Sequence, residues 1–416
     1  MEEQFRLAKR INFNYLLLLS VVFGGFLIFG FSENIKGPAI PLMQADFSLN
    51  EKQLGLLLAL NSLGYLVACT FTSALAGRIG IKWTGITAFG SMAVSGVLIY
   101  LSVNYALLSA SYFLMYIGNG MLEIGLAIMA ARIFTKNTGT MMNLSHFFYG
   151  LSSTVAPVIA AAMMGWKLFG SELGWRGMYL LTLSLSVLPV IPSLFGKFPV
   201  QEHSREDRIS LRILVRDPIA WMIVAILSFG VVSEMAVGSW LVNFLEKAYD
   251  WTIPKASGML SLFFLFFTLA RLLLGPVTDK IGYTVSVMLF AAFSGACSLT
   301  AILIGEPGAV LFAVAGAGIA PIYPTVMAMI AKRYPKGTET AITFTVTLMG
   351  IATVLGNLGN GYLIDFVRRL FERLGPADSR IVGLQAGYVF IAAMALLCSV
   401  CCLCLYVMLR RRDEVV

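Results

Sequence analysis

Ile117-Gly-Asn-Gly-Met-Leu-Glu-Ile-Gly-Leu-Ala-Ile-Met129 places a single carboxylate, Glu123, inside an apolar block that runs from 106 to 134. A block of that length fits a membrane-crossing helix, which needs about 20 apolar residues at 1.5 Å each. A charge at bilayer depth costs roughly 2.5–3.5 kcal/mol on insertion scales, so a carboxylate kept there faces a bundle interior or a wet cavity and marks a functional site.

Working outward from this block, the same pattern recurs along the chain. Of its 416 residues, 58% are hydrophobic and only 12% charged, the profile of a polytopic membrane protein. Twelve blocks follow one another at 13–43, 52–77, 83–103, 106–134, 139–165, 177–198, 218–246, 255–278, 283–304, 308–331, 338–364 and 383–409. They do not alternate in polarity, which excludes a closed β-barrel. The expected fold is therefore all-α, with twelve transmembrane helices. Basic residues concentrate in alternate loops: Arg6, Lys9 and Arg10, then Arg78 and Lys82, then Lys197 to Arg216, then Lys332 to Lys336, then Arg410 to Arg412. They outnumber those of the opposite loops by about two to one, which predicts both termini on the cytoplasmic side. The cluster from Arg368 to Arg380 runs against this rule.

The net charge of +8 follows these loops, so it reads as topology and attraction to anionic lipid and not as a nucleic-acid surface. Four of the six cysteines crowd the last block (Cys398, Cys401, Cys402, Cys404), where neither a metal site nor a disulfide is expected. The first block is too long for a cleavable leader. No Walker loop, metal-ligand cluster or nucleophile elbow is present, which argues against an enzyme or an ATP-driven pump. A sensor would need a signalling domain that neither end supplies.

The chain also repeats itself. Ser32-Glu33-x-x-x-Gly37 returns as Ser233-Glu234-x-x-x-Gly238, Gly77-Arg78-Ile79-Gly80 as Asp279-Lys280-Ile281-Gly282, and Gly118-x-Gly120 as Gly316-x-Gly318. With the polar stretch 201–217 between them, the expected domains are a six-helix bundle over 1–200, a cytoplasmic linker over 201–217 and a second bundle over 218–416, a parallel duplication.

Two six-helix halves joined in this way resemble the major facilitator superfamily of secondary transporters. The loop Gly275-Pro-Val-Thr-Asp279-Lys280-Ile281-Gly282 is similar to the superfamily's Gly-x-x-x-Asp-Arg-x-Gly motif, and Gly77-Arg78-Ile79-Gly80 is a first copy without the acidic residue. Three further stretches resemble the fucose-galactose-gluconate proton symporter branch and related glucose transporters: Gly118-Asn-Gly120-Met-Leu-Glu123, Asn143-Leu-Ser-His146-Phe-Phe-Tyr-Gly150, and Glu234-Met-Ala-Val-Gly238-Ser-Trp240-Leu-Val-Asn243. The resemblance implies proton-coupled uptake of a monosaccharide or similar hydroxylated solute, with Glu123 in proton coupling. The branch's other acid, in its first span, falls on Gly37 here. Glu33, one turn earlier, is the candidate replacement, and pairing with Lys36 on the same face is its alternative role.

The proton-coupling candidates are Glu123, roughly 25 Å along its span, and His146, roughly 10 Å along the next, at matching depth from one face. A sugar site combines planar polar groups with an aromatic face. The candidates are Glu33, Asn34, Asn143, His146, Glu234, Trp240, Asn243, Tyr323, Asn357 and Asn360, and packing or interfacial anchoring is the alternative for each aromatic. Gly316-Ala-Gly-Ile-Ala-Pro321-Ile-Tyr-Pro324 reads as a broken helix of the kind that borders transporter cavities. No cofactor or metal is expected. The coupling ion is expected to be H+, the partners a small-molecule substrate and the lipid bilayer with no nucleic acid, the state a monomer, and the location an inner (plasma) membrane. Drug or metabolite efflux and sugar uniport are the alternatives.

Overall fold

Hydropathy alone places the helices. The computed structural model describes residues 2–133, 138–168, 170–198, 209–335, 337–372 and 375–411. Twelve helical spans in it are long and apolar enough to cross a bilayer: Phe13–Phe47, Glu51–Ile79, Ile81–Tyr100, Tyr105–Ala130, Leu144–Met164, Gly174–Phe195, Pro218–Tyr249, Ile253–Leu273, Tyr283–Ile304, Glu306–Arg333, Thr340–Leu370 and Asp378–Arg410. They are numbered spans 1 to 12 below. The expected all-α, twelve-helix fold is the observed one. The two-stranded hairpin Lys167–Leu168 with Ser171–Glu172 lies between spans 5 and 6.

Two compact units form. The first comprises Met1–Ile35 and Leu63–His203, the second Lys36–Ser62 and Ser204–Val416. In sequence, the polar stretch 201–217 divides the chain. The packing follows a different line, because residues 36–62 fold into the unit that holds the second half.

Span 1 shows why a boundary falls at Ile35. Its helix runs over Glu2–Asn34 and restarts at Lys36, and Pro38 has no N–H to bond the carbonyl of Asn34. Within the first unit, span 1 packs on spans 4 and 5, and span 3 on spans 4 and 6.

The repeated Gly-x-Gly pairs have a structural cause. In the first unit a Cβ on Gly120 would lie 2.9 Å from the Tyr65 carbonyl of span 2, and one on Gly118 would lie 2.5 Å from Ser91 Oγ of span 3. In the second unit a Cβ on Gly316 would lie 2.4 Å from the Phe263 carbonyl of span 8, and one on Gly318 2.5 Å from the Phe290 carbonyl of span 9. Each pair lets one helix touch the backbones of two neighbours, an approach only small residues permit. The order of the two contacts is exchanged between the halves.

In the second unit, span 7 starts on the Asp217 cap, whose Oδ1 accepts from the Ile219 N–H at 2.9 Å, with Pro218 at the first helical position. This is the sequence signature of a helix start. The other Asp217 oxygen accepts from the Tyr334 hydroxyl at 2.6 Å. Burial pushes the Tyr334 phenol up, and the carboxylate holding its proton pushes it further. Span 10 is broken as its glycines and prolines suggest, into Val310–Ile319 and Ile322–Arg333. Arg271 Nε donates to the Ala320 carbonyl at the break, at 3.1 Å.

The arginine cluster that defies the loop-charge rule has partners. Glu51 is 1% exposed, and its Oε1 accepts from Arg380 Nε at 3.3 Å, while Arg368 lies 3.8 Å from its Oε2. Asp365 pairs with Arg368 and Arg369, both at 2.9 Å. Lys247 donates to Gln44 Oε1 in the same unit.

Candidate functional site

The first unit collects the acids. Glu123 sits half-buried on span 4, and the hydroxyl of Tyr65 on span 2 donates to its Oε2. Tyr65 is held there by the backbone contact at Gly120, three residues before Glu123. One turn back on span 4, Asn119 is fully buried. Its Oδ1 accepts from Ser32 Oγ at 2.8 Å, and its Nδ2 lies 3.4 Å from Glu33 Oε2. The Tyr116 hydroxyl lies 3.5 Å from Glu33 Oε1. Residues 116, 119 and 123 follow helical spacing, so one stretch of span 4 serves both carboxylates. Asn34 Nδ2 donates to the Gly30 carbonyl at 2.8 Å and to Ser153 Oγ at 3.0 Å.

His146 is an exposed residue of span 5 with its ring 5.3 Å from that of Phe26 on span 1. Asn143 lies on the same helix, and its side chain falls outside the described residues. Glu33, Asn34, Glu123 and His146 are expected from the sequence, whereas Tyr65, Tyr116, Asn119, Ser32 and Ser153 are not. No periodicity singles out a tyrosine or serine whose importance comes from a neighbouring helix. The one available signal was the Gly118-Asn-Gly120 pattern, since Asn119 is flanked by the two glycines that draw span 4 into its neighbours.

The second unit holds a set of buried uncharged groups beside its acids. Asn243 and Asn360 are both 0% exposed, and neither amide has a hydrogen-bond partner among the described residues. Asn357 donates through Nδ2 to Ser62 Oγ at 3.0 Å, and its Oδ1 is without a partner among the described residues. Trp240 is buried, and its indole N–H has no partner among the described residues. Glu234 is buried on span 7 beside Ser233, whose hydroxyl donates to the Ile391 carbonyl of span 12 at 3.0 Å. Tyr323 stands half-buried just past the break in span 10.

The missing first-span acid also has a structural reason. Gly37 packs against span 7, where a Cβ would lie 3.0 Å from the Gly238 carbonyl and 2.7 Å from the end of Leu260. The two glycines of the repeated Ser-Glu-x-x-x-Gly motif therefore meet, and no carboxylate fits between them.

Twelve apolar helices from a duplicated six, with acids and amides buried in both units, give the architecture of a membrane transporter and not of an enzyme. The chain belongs to the Major Facilitator Superfamily, whose model matches residues 22–307 and 233–415. Among curated proteins it is 21% identical over 255 residues to the "Protein TsgA homolog" of Buchnera aphidicola subsp. Schizaphis graminum (strain Sg); the match covers 61% of this chain and 64% of that one. The chain thus spans under two thirds of that relative's length. Among solved structures it is similar to a bacterial homolog of the human lysosomal transporter Spinster, with a TM-score of 0.77 at 14% identity over 94% of this chain and 98% of that one. It is also similar to the E. coli fucose:proton symporter FucP (N162A), with a TM-score of 0.60 at 16% identity over 92% and 98%. The protein is a multi-pass membrane protein of this superfamily.

Proposed function

We propose that this transporter takes up a neutral hydroxylated solute of the monosaccharide class, driven by a proton carried on Glu123. One observation carries the reading: the mid-span carboxylate accepts from a phenolic donor, Tyr65. A hydroxyl that can donate to the ionised acid, and accept from the protonated one, suits a group that changes charge during a transport cycle. Similarity to a fucose:proton symporter supports the substrate class, as does the uncharged amide set of the second unit. In this reading both termini are cytoplasmic, the membrane is a cell's inner membrane and the working unit is a monomer.

The test is uptake of radiolabelled sugars into proteoliposomes with an imposed inward proton gradient and no Na+. Concentrative uptake is expected in the wild type and lost in Glu123→Gln, while exchange of preloaded sugar is retained. Tyr65→Phe removes a charge-assisted hydrogen bond worth about 1.5–3 kcal/mol and should give an intermediate rate. Equal, gradient-independent uptake by wild type and Glu123→Gln would assign uniport, and reduced accumulation of the solute would assign efflux. Either result overturns proton-driven uptake.

A further inference from the structure

Span 2 and span 11 touch backbone to backbone inside the second unit. A Cβ on Gly55 would lie 2.8 Å from the Gly361 Cα, and a Cβ on Gly361 would lie 2.7 Å from the Gly55 Cα. Further along the same pair of helices, Asn357 Nδ2 donates to Ser62 Oγ at 3.0 Å. Asn360, one residue before Gly361 on span 11, has its Oδ1 on the span 12 side, 3.1 Å from where a Cβ on Gly387 would stand. Asn61 adjoins Ser62. Asn61, Asn357 and Asn360 are 2%, 6% and 0% exposed.

Their hydrogen-bond inventory is incomplete in a specific way. Both amide atoms of Asn61, both of Asn360 and the Oδ1 of Asn357 have no partner among the described residues. A buried polar atom left unsatisfied costs about 1–3 kcal/mol, so a purely packing role would favour leucine at these positions. The unpartnered atoms include donors as well as acceptors. A metal cation would use the oxygens and leave the NH2 groups idle; a carboxylate would do the reverse. A hydroxyl group uses both.

We propose that Asn61, Ser62, Asn357 and Asn360 form a subsite that reads adjacent hydroxyl groups of an uncharged polyol. This rests on the reading of the protein as a transporter of hydroxylated solutes and adds to it a contribution from span 2 together with the chemical feature recognised. Glycines at 55, 361 and 387 let the three helices close on the amides without side chains of their own intervening.

The test is thermal unfolding of the purified full-length protein, followed by tryptophan fluorescence, with D-glucose, L-fucose, D-xylose or myo-inositol, and with choline and succinate as charged controls. The neutral polyols should raise Tm in a saturable way and the charged controls should not. Asn360→Leu and Asn61→Leu should leave the ligand-free Tm unchanged or higher and weaken the apparent affinity at least tenfold. Asn360→Ser, smaller and still polar, guards against misfolding and should fall between. No proton gradient is present, so the outcome is independent of coupling through Glu123. If the wild type binds a polyol and the leucine variants bind it equally well, the subsite is refuted while the transport reading stands. If no polyol shifts the wild type at 100 mM, on the order of a hundred times a weak Kd of 1 mM, the amides hold only water and the substrate class falls with them.

Discussion

Adding one methyl group at Gly55 should separate two helices. A Cβ there would stand 2.8 Å from the Gly361 Cα, 3.0 Å from the Asn357 carbonyl and 3.2 Å from the Gly361 nitrogen. All three are backbone atoms, so no flexible side chain can yield. Ordinary carbon–carbon contact is about 3.5–4.0 Å, and the helices must therefore part by roughly 1 Å. Overpacking of this kind costs about 1–3 kcal/mol. At about 2–4 °C per kcal/mol for a compact unit of 150–250 residues, Gly55→Ala should lower Tm by roughly 2–12 °C. The parting also stretches the 3.0 Å Asn357–Ser62 bond. Gly361→Ala meets the same contact, with 2.7 Å to both the Gly55 Cα and the Glu51 carbonyl, so the double variant should cost clearly less than the sum of the two singles. The assay is thermal unfolding in detergent of the four proteins of this cycle. A Gly55→Ala protein within about 0.5 kcal/mol of wild type, or strict additivity, would refute the claim that these backbones are in contact.

Restoring an acid at the first-span position where the symporter branch carries one should fail. Gly37→Asp must fit a Cβ 3.0 Å from the Gly238 carbonyl and then bury a carboxylate beside it, a combined cost of about 2–4 kcal/mol; Gly37→Ala isolates the steric part at about 1–2 kcal/mol. A folded Gly37→Asp protein with the wild-type Tm would count against this packing. Glu51 and Arg380 should couple in a double-mutant cycle. The carboxylate is 1% exposed but the arginine is 43% exposed, so the coupling belongs between surface and buried pairs, at about 1–2 kcal/mol. Unfolding free energies of Glu51→Ala, Arg380→Ala and the double variant measure it, and a coupling under about 0.3 kcal/mol would show that the pair holds nothing together.

The sequence by itself determined the number of spans, their limits to within a few residues and the duplication. These are properties of local hydropathy and of the chain's own repeat: span 7 is expected over 218–246 and forms over Pro218–Tyr249. It also marked Glu123, because a charge in an apolar block costs energy wherever the neighbours are. The break in span 10 was legible for a similar reason, as Pro321 and Pro324 cannot complete a helical ladder. What surrounds each acid was not legible. Tyr65 reaches Glu123 from another helix, whose backbone Gly120 lets approach closely, and Asn119, Ser32 and Tyr116 meet at Glu33 across two helices. Nor does hydropathy say which unit a helix end joins. Residues 36–62 hold the end of span 1, the turn and the start of span 2, and their hydropathy names no partner, yet Gly37 on Gly238, Gly55 on Gly361 and the buried Glu51 between two arginines bind them to the second half of the chain. Hydropathy is a sum over neighbours in sequence, whereas these contacts depend on which side chains are absent at a point where two helices cross, and only the tertiary structure decides where they cross.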